Sequence, residues 1–206
     1  MLTYYGAKDS CSIPAQIILE MSGQPYENVY LSFDQGLPEH YLSLNPTGQV
    51  PTLVEDEQVF TQCVGITTYL ADKWPQLNMT PALDSPQRGH YLKWMHFLNS
   101  SMHEAYLRVY YPNKYAVSKQ ACDEVREMAK QAIDKHYDIV NSWLEPGPYC
   151  LGETIQACDL YLATLISWQE DREALFTRLP RLQLLFEKVT THPVANKVFV
   201  EHGVAL

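Results

Sequence analysis

Two cysteines, one Val-Pro peptide and a helical pair of histidines are the residues of this sequence whose types and spacing best suit chemistry. Cys11 follows a strand-like run, 2–5, that Gly6 breaks, and it stands where a helical period opens. At a helix N-terminus, free N–H groups and the helix dipole favour a thiolate and draw a thiol pKa below ~8.5; the competing reading is a small buried hydrophobe. Pro14 occupies the position where a dithiol motif carries its second cysteine, so Cys11 has no local disulfide partner. Val50-Pro51 precedes a β-branched run. A cis bond there leaves the Val50 N–H and C=O unpaired, ready to take an extended peptide as an added strand. Gln62-Cys63 opens a helix whose N-terminus suits a carboxylate. A peptide-like anion fits both devices.

His96, Ser100 and His103 follow helical spacing, seven residues from end to end, which predicts one shared face. Two histidines about 10 Å apart along a helix do not share one ion, and no acidic or Cys residue lies between them, so no metal is expected.

These groups need a scaffold, and the periodicity supplies one. Residues 11–22 keep apolar positions at helical spacing, with Pro14 tolerated in the first turn and Gly23 as the stop. Residues 26–31 alternate as a strand, and 36–45 read as loop with one helical turn over 39–43. The runs 52–54 and 59–61 flank an acidic turn and predict a hairpin. A helix comes next, over 62–72. The order β-α-β-α-β-β-α predicts a thioredoxin-like α/β domain with a mixed sheet over 1–74. Three prolines and no helical period mark 75–86 as a linker. Everything in 87–206 reads as helix: 87–111 behind a Ser85 cap and Pro86, then 118–144, 157–169, 179–189 and 192–201, an all-α second domain.

Composition narrows the partners. The net charge of −9 argues against nucleic acid or an anionic membrane surface, which reward clustered Lys and Arg. No apolar run approaches the ~20 residues of a membrane helix, and the first residues lack a signal-peptide pattern. The five cysteines lack the paired spacing of a disulfide framework or zinc site, so a reducing cytoplasm is the expected location.

The run NPTGQVPTL, residues 45–53, followed by Gln62-Cys63, together with YYGAKDSCS at 4–12 and His103, resembles the cytosolic glutathione S-transferase family over nearly the whole chain. It is most like the bacterial beta class. The resemblance implies that Gln49, Val50 and Pro51 hold the cysteinyl part of glutathione, the co-substrate, and that Gln62 and Cys63 read its γ-glutamyl group. The family ordinarily has Ser where Cys63 stands; a thiol is a poorer donor than a hydroxyl, and a redox role for Cys63 stays open. By the same resemblance Cys11 acts on the glutathione sulfur, with Ser12 and Tyr5 as rival donors, and His103 faces that sulfur. His96 and Ser100 would touch glutathione, although the family more often has Asn where His96 stands.

The implied activity is conjugation of the glutathione thiolate to a small hydrophobic electrophile, with mixed-disulfide chemistry open to Cys11. Tyr106 and Tyr110 read equally as the electrophile's wall and as core, whereas Tyr111, Tyr115 and Trp168 read as core. The rivals are a glutathione-dependent isomerase, with Arg108 as its cationic group, and a non-catalytic binding protein. The resemblance also implies a homodimer, with Tyr91 and Trp94 at its contact. Finally, Gln156 replaces the family's Ser or Thr three residues before Asp159, which should weaken that helix start by ~1 kcal/mol unless Thr154 or the Asp159 carboxylate compensates. Asp159 reads as structural.

Overall fold

The computed structural model describes residues 1–34 and 36–204. Strand β1, Leu2–Gly6, turns Leu2, Tyr4 and Gly6 to the core and Thr3 and Tyr5 to the other face. Helix α1, Ile13–Ser22, carries Pro14 in its first turn, where the missing N–H costs nothing, and stops at Gly23 with φ 65°. Then come β2, Tyr26–Tyr30, and α2, Glu39–Leu44. The hairpin of β3, Thr52–Glu55, and β4, Gln58–Thr61, turns at Asp56 with φ 54°, and leads into α3, Cys63–Lys73. The sheet order is β2-β1-β3-β4, with β1 parallel to β2 and antiparallel to β3, so that Tyr4 faces Leu53 across the ladder. This is the mixed thioredoxin-like sheet that the periodicity predicts. The Val50-Pro51 bond is cis, as expected.

The second half is helical. Its first run is α4, Gln87–Phe97, a π turn, Leu98–His103, and α5, Glu104–Tyr110. The expectation of one regular helix over 87–111 is therefore corrected: i→i+5 bonding widens its middle. Gln87 is the first helical residue, and its N–H reaches Ser85 Oγ at 3.3 Å. The long helix α6, Lys119–Trp143, is capped by Ser118, whose side chain accepts the Ala121 N–H at 3.2 Å. After α7, Ala157–Ser167, comes a helix that periodicity did not reveal, α8, Arg172–Arg178. Seven residues are too few for a readable period, but Asp171, which accepts the Ala174 N–H at 2.9 Å, was a visible cap signal. The last helices are α9, Pro180–Thr190, and α10, Pro193–Glu201. None of the helices among the described residues is long and apolar enough to cross a membrane.

The two halves interlock. Helix α1 packs against α3, α7 and α10, and Oε1 of buried Gln16 accepts a hydrogen bond from His202 Nε2 at 2.8 Å. Lys197 pairs with Glu20 at 2.7 Å, and Lys8 Nζ donates to the Glu201 carbonyl at 2.5 Å. Within 75–86 the Met79 carbonyl accepts the Ala157 N–H at 2.7 Å, tying the connection to the start of α7. Arg88 grips Asp72 with both terminal nitrogens at 2.7 Å.

Asp159 compensates for Gln156. Its carboxylate accepts the Gln156 N–H at 2.7 Å and the Cys150 N–H at 2.6 Å, and it is fully buried. Burial pushes its pKa up to about 6 against those two hydrogen bonds. Tyr91 and Trp94 are enclosed within the protomer, which removes them from any subunit contact; Leu92 and Lys93 lie on the exposed side of α4.

Candidate active site

The loop between β1 and α1 is tightly built, and it sets Cys11. Ser12 Oγ accepts the Ala7 N–H at 3.3 Å and the Ser10 hydroxyl at 2.9 Å, while Tyr4 donates to the Ser12 carbonyl at 2.6 Å. A Cβ on Gly6 would meet Ser12 Cβ at 3.1 Å, so the glycine permits this close approach. Ser12 is thus wholly buried and internally bonded, which corrects its expected place among sulfur donors in the pocket. Tyr5 turns to the opposite sheet face from Tyr4, its ring 5.3 Å from Tyr41.

Cys11 itself is 8 % exposed and its thiol donates to the Val50 carbonyl at 3.3 Å. The peptide edge expected to be open is therefore closed on one side by Cys11. Asn45 shapes this edge: its Nδ2 donates to the Gln49 carbonyl at 2.8 Å and to Thr52 Oγ1 at 3.0 Å, and its Oδ1 accepts the Thr47 N–H at 3.2 Å. Tyr41 also donates to the Gln49 carbonyl. Both residues were missed from sequence, although an Asn before Pro-Thr-Gly is a recognisable turn signal. Gln49 is exposed, Val50 half-buried and Pro51 buried.

Cys63 opens α3 beneath Cys11. Its thiol donates to the Cys11 carbonyl at 3.1 Å and lies 3.9 Å from Thr67 Oγ1. The neighbouring Cys11 and then burial push the Cys63 pKa well up, so it is a thiol at neutral pH. Before it, exposed Gln62 holds φ 74°, a conformation that costs a non-glycine residue about 1–3 kcal/mol and that clusters at ligand sites. Gln62 makes no side-chain cap bond, so its amide stands free at the mouth of α3.

From the helical half, His103 Nδ1 shares a hydrogen with the Tyr161 hydroxyl at 2.8 Å, and Tyr161 donates to Asn99 Oδ1 at 3.1 Å. Burial drives the His103 pKa down to about 4, which leaves the ring neutral at pH 7. Tyr161 is fully buried and lies in the field of both Cys63 and Cys11; burial first, then those thiols, raise its pKa. Nothing in the local sequence of α7 marked this tyrosine. The shared face of His96, Ser100 and His103 is corrected: the π turn leaves His96 and Ser100 exposed, with Ser100 bonded to the His96 carbonyl at 2.8 Å, and turns His103 inward.

Beyond His103 the aromatic residues converge. Trp168 stands 5.2 Å from His103 and 5.6 Å from Tyr106, ring to ring. With Tyr106, Tyr110 and Ile133, and with the charged Lys130, Asp134 and Glu170, it lines a cavity of about 130 Å³, where the sequence reads it as core. Tyr106 is itself buried and bonded to Tyr137 at 2.8 Å and to Gln169 at 3.1 Å. Tyr110 is half exposed and donates to the Trp168 carbonyl at 3.0 Å.

Residues 1–72 match the family model described as the glutathione S-transferase N-terminal domain. The chain is 25% identical over 185 residues to glutathione S-transferase GST-4.5 of Xanthomonas campestris pv. campestris, covering 90% of this chain and 91% of that protein. Among solved structures it is similar to a glutathione transferase homologue from Sulfitobacter with bound glutathione, at TM-score 0.89 and 24% identity over 100% of this chain and 99% of that one. It is also similar to BphK, a bacterial glutathione S-transferase solved as a ternary complex, at TM-score 0.85 and 26% identity, covering 98% of this chain and 99% of that one. Residues 1–72, which carry both Cys11 and Cys63, match the glutathione S-transferase N-terminal domain, and the chain is similar nearly end to end to named glutathione S-transferases.

Proposed function

We propose that the protein is a glutathione transferase that binds glutathione across Val50 and the mouth of α3 and sets its sulfur beside Cys11. The observation that carries this is convergence: Cys11 touches the Val50 carbonyl at 3.3 Å on one side and receives the Cys63 thiol at 3.1 Å on its own carbonyl on the other. The cysteinyl backbone of the tripeptide pairs with Val50 as an added strand, displacing the Cys11 thiol from that carbonyl. The γ-glutamyl carboxylate lies at the N-terminus of α3, by Gln62 and the Cys63 N–H. Held there, the glutathione sulfur is one reactant already positioned.

The thiolate then attacks either an electrophilic carbon or a disulfide sulfur. Neutral His103 acts as a hydrogen-bonding group rather than a cation, and Tyr106, Tyr110 and Trp168 form the wall for a small hydrophobic electrophile. Arg108, the cation of the isomerase reading, is paired with Glu104 at 3.1 Å and stacked over Tyr115, which supports the transferase reading over that rival. We also propose residues 1–74 as the glutathione-binding unit and 87–206 as the helical one, joined by 75–86, acting as a homodimer in a reducing compartment; residues 205 and 206 lie outside the described residues. Five free cysteines suit such a compartment.

Titration calorimetry with reduced glutathione, paired with turnover of an aryl halide, tests the reading. Binding with turnover supports it. Binding without turnover favours a disulfide specialist, and no heat at millimolar glutathione removes the proposal. A monomeric mass by light scattering at micromolar protein removes the dimer.

A further inference from the structure

We infer that Cys63 is a resolving cysteine: it attacks a glutathione mixed disulfide held on Cys11 and closes a Cys11–Cys63 disulfide. The inference rests on the glutathione-binding reading above and adds a second redox residue to it.

The geometry is specific to this pair. Cys63 is separated from Cys11 by 52 positions in the chain, yet its thiol points at Cys11, donating to that residue's carbonyl at 3.1 Å. Cys11 Sγ points instead to the peptide edge, at the Val50 carbonyl, which is where an incoming tripeptide lies. The two thiols therefore have different access. A disulfide arriving along the edge meets Cys11 first, while Cys63 sits behind it, 5 % exposed, enclosed by the Cys11 backbone, Thr67 and the Tyr161 phenol. Pro14 removes the local partner that a dithiol motif would supply, and the start of α3 delivers a distant one in its place. Placement at the N-terminus of an eleven-residue helix also aids a developing thiolate once the attack begins.

The steps balance with a glutathione mixed disulfide, RS–SG, as oxidant. The Cys11 thiolate attacks the glutathionyl sulfur, the S–S bond of RS–SG breaks, and RS⁻ leaves to take up the proton that Cys11 gave to solvent. Cys63 then loses its proton and attacks Cys11 Sγ; the Cys11–glutathione bond breaks and glutathione departs as a thiolate that gains that proton. Two protein thiols are oxidised to one disulfide, and the incoming disulfide is reduced to RSH and GSH.

The experiment treats the reduced full-length protein with oxidised glutathione, quenches it with acid and an alkylating agent, and reads intact mass and disulfide-mapped peptides for wild type, Cys63→Ser and Cys11→Ser. The expected result is a wild type that loses two hydrogens as a Cys11–Cys63 disulfide. Cys63→Ser should instead accumulate one glutathionyl group on Cys11, and Cys11→Ser should show neither product. A wild type that accumulates the Cys11 adduct to the same extent as Cys63→Ser overturns the inference while leaving glutathione binding intact. Neither product in wild type also overturns it; calorimetry on the same sample then separates loss of the resolving step, where glutathione still binds, from failure of the binding reading itself. The wild-type species decide the matter even if a variant folds poorly.

Discussion

The Tyr161 hydroxyl lies 2.8 Å from Nδ1 of His103, joining a helix of the second half to the π turn, and the same phenol lies beside the Cys63 and Cys11 thiols of the first half. It is the side chain through which the helical half reaches these two thiols. Because His103 is neutral at pH 7, the influence passes through hydrogen bonds rather than charge.

Tyr161→Phe removes one hydroxyl that serves both His103 and Asn99. The expected cost is about 1 kcal/mol of stability and roughly a tenfold fall in kcat/KM for glutathione-dependent turnover, which corresponds to ~1.4 kcal/mol in the barrier. Steady-state kinetics beside urea unfolding check both. Unchanged kinetics with lowered stability would assign the tyrosine to packing alone.

Cys11→Ala should abolish formation of the glutathione adduct while leaving aryl conjugation measurable, because positioning by Val50 and α3 survives. The readouts are adduct mass and conjugate absorbance. Loss of both activities with glutathione binding retained would make Cys11 the activator of the sulfur in both reactions.

Stability should fall as the solution is acidified below pH 6.5. His103 and His202, each pushed down to about 4 mainly by burial, stay neutral in the folded chain while the unfolded chain binds their protons, so their contribution is present above 6.5 and lost as pH falls towards 4. His136 shifts in the same direction. Asp159 opposes them: its carboxyl, raised to about 6 by burial, contributes stability that is full below 3.8 and lost as pH rises through 6. Two histidines against one carboxyl leave a slope on the order of 1.4 kcal/mol per pH unit between about 4 and 6. His202→Gln, which keeps an amide beside Gln16, should flatten that slope. Urea unfolding at pH 7, 6 and 5 measures it, and an equal slope in the variant refutes the assignment.

Asp159→Ala leaves the Cys150 and Gln156 N–H groups buried without partners, which should cost about 2–6 kcal/mol at roughly 1–3 per group. Chemical denaturation at pH 7 measures the loss; a change below about 1 kcal/mol would mean that water satisfies both groups.

Most of the architecture was legible because its signals are local. Pro14 and Gly23 bound α1, Asp56 turns the hairpin, and Ser118 caps α6; each lies within a few residues of the element it governs. Where a signal was short or absent, the reading slipped. Helix α8 has only seven residues, and no pattern in 98–103 announces that the helix widens there. That widening undid the shared face drawn for His96, Ser100 and His103, since the inference assumed a constant turn per residue.

By itself the sequence determined the order of strands and helices, the cis peptide at Val50-Pro51 and the presence of Cys11 at the mouth of a helix. Tertiary packing alone decided which groups face Cys11. The Cys63 thiol beneath it, the neutral His103 bonded to Tyr161 across 58 positions, and Trp168 in the cavity wall each depend on how distant helices meet. Turn and period are set by neighbours along the chain, whereas burial, and with it the protonation of His103 and Cys63, is set by neighbours in space.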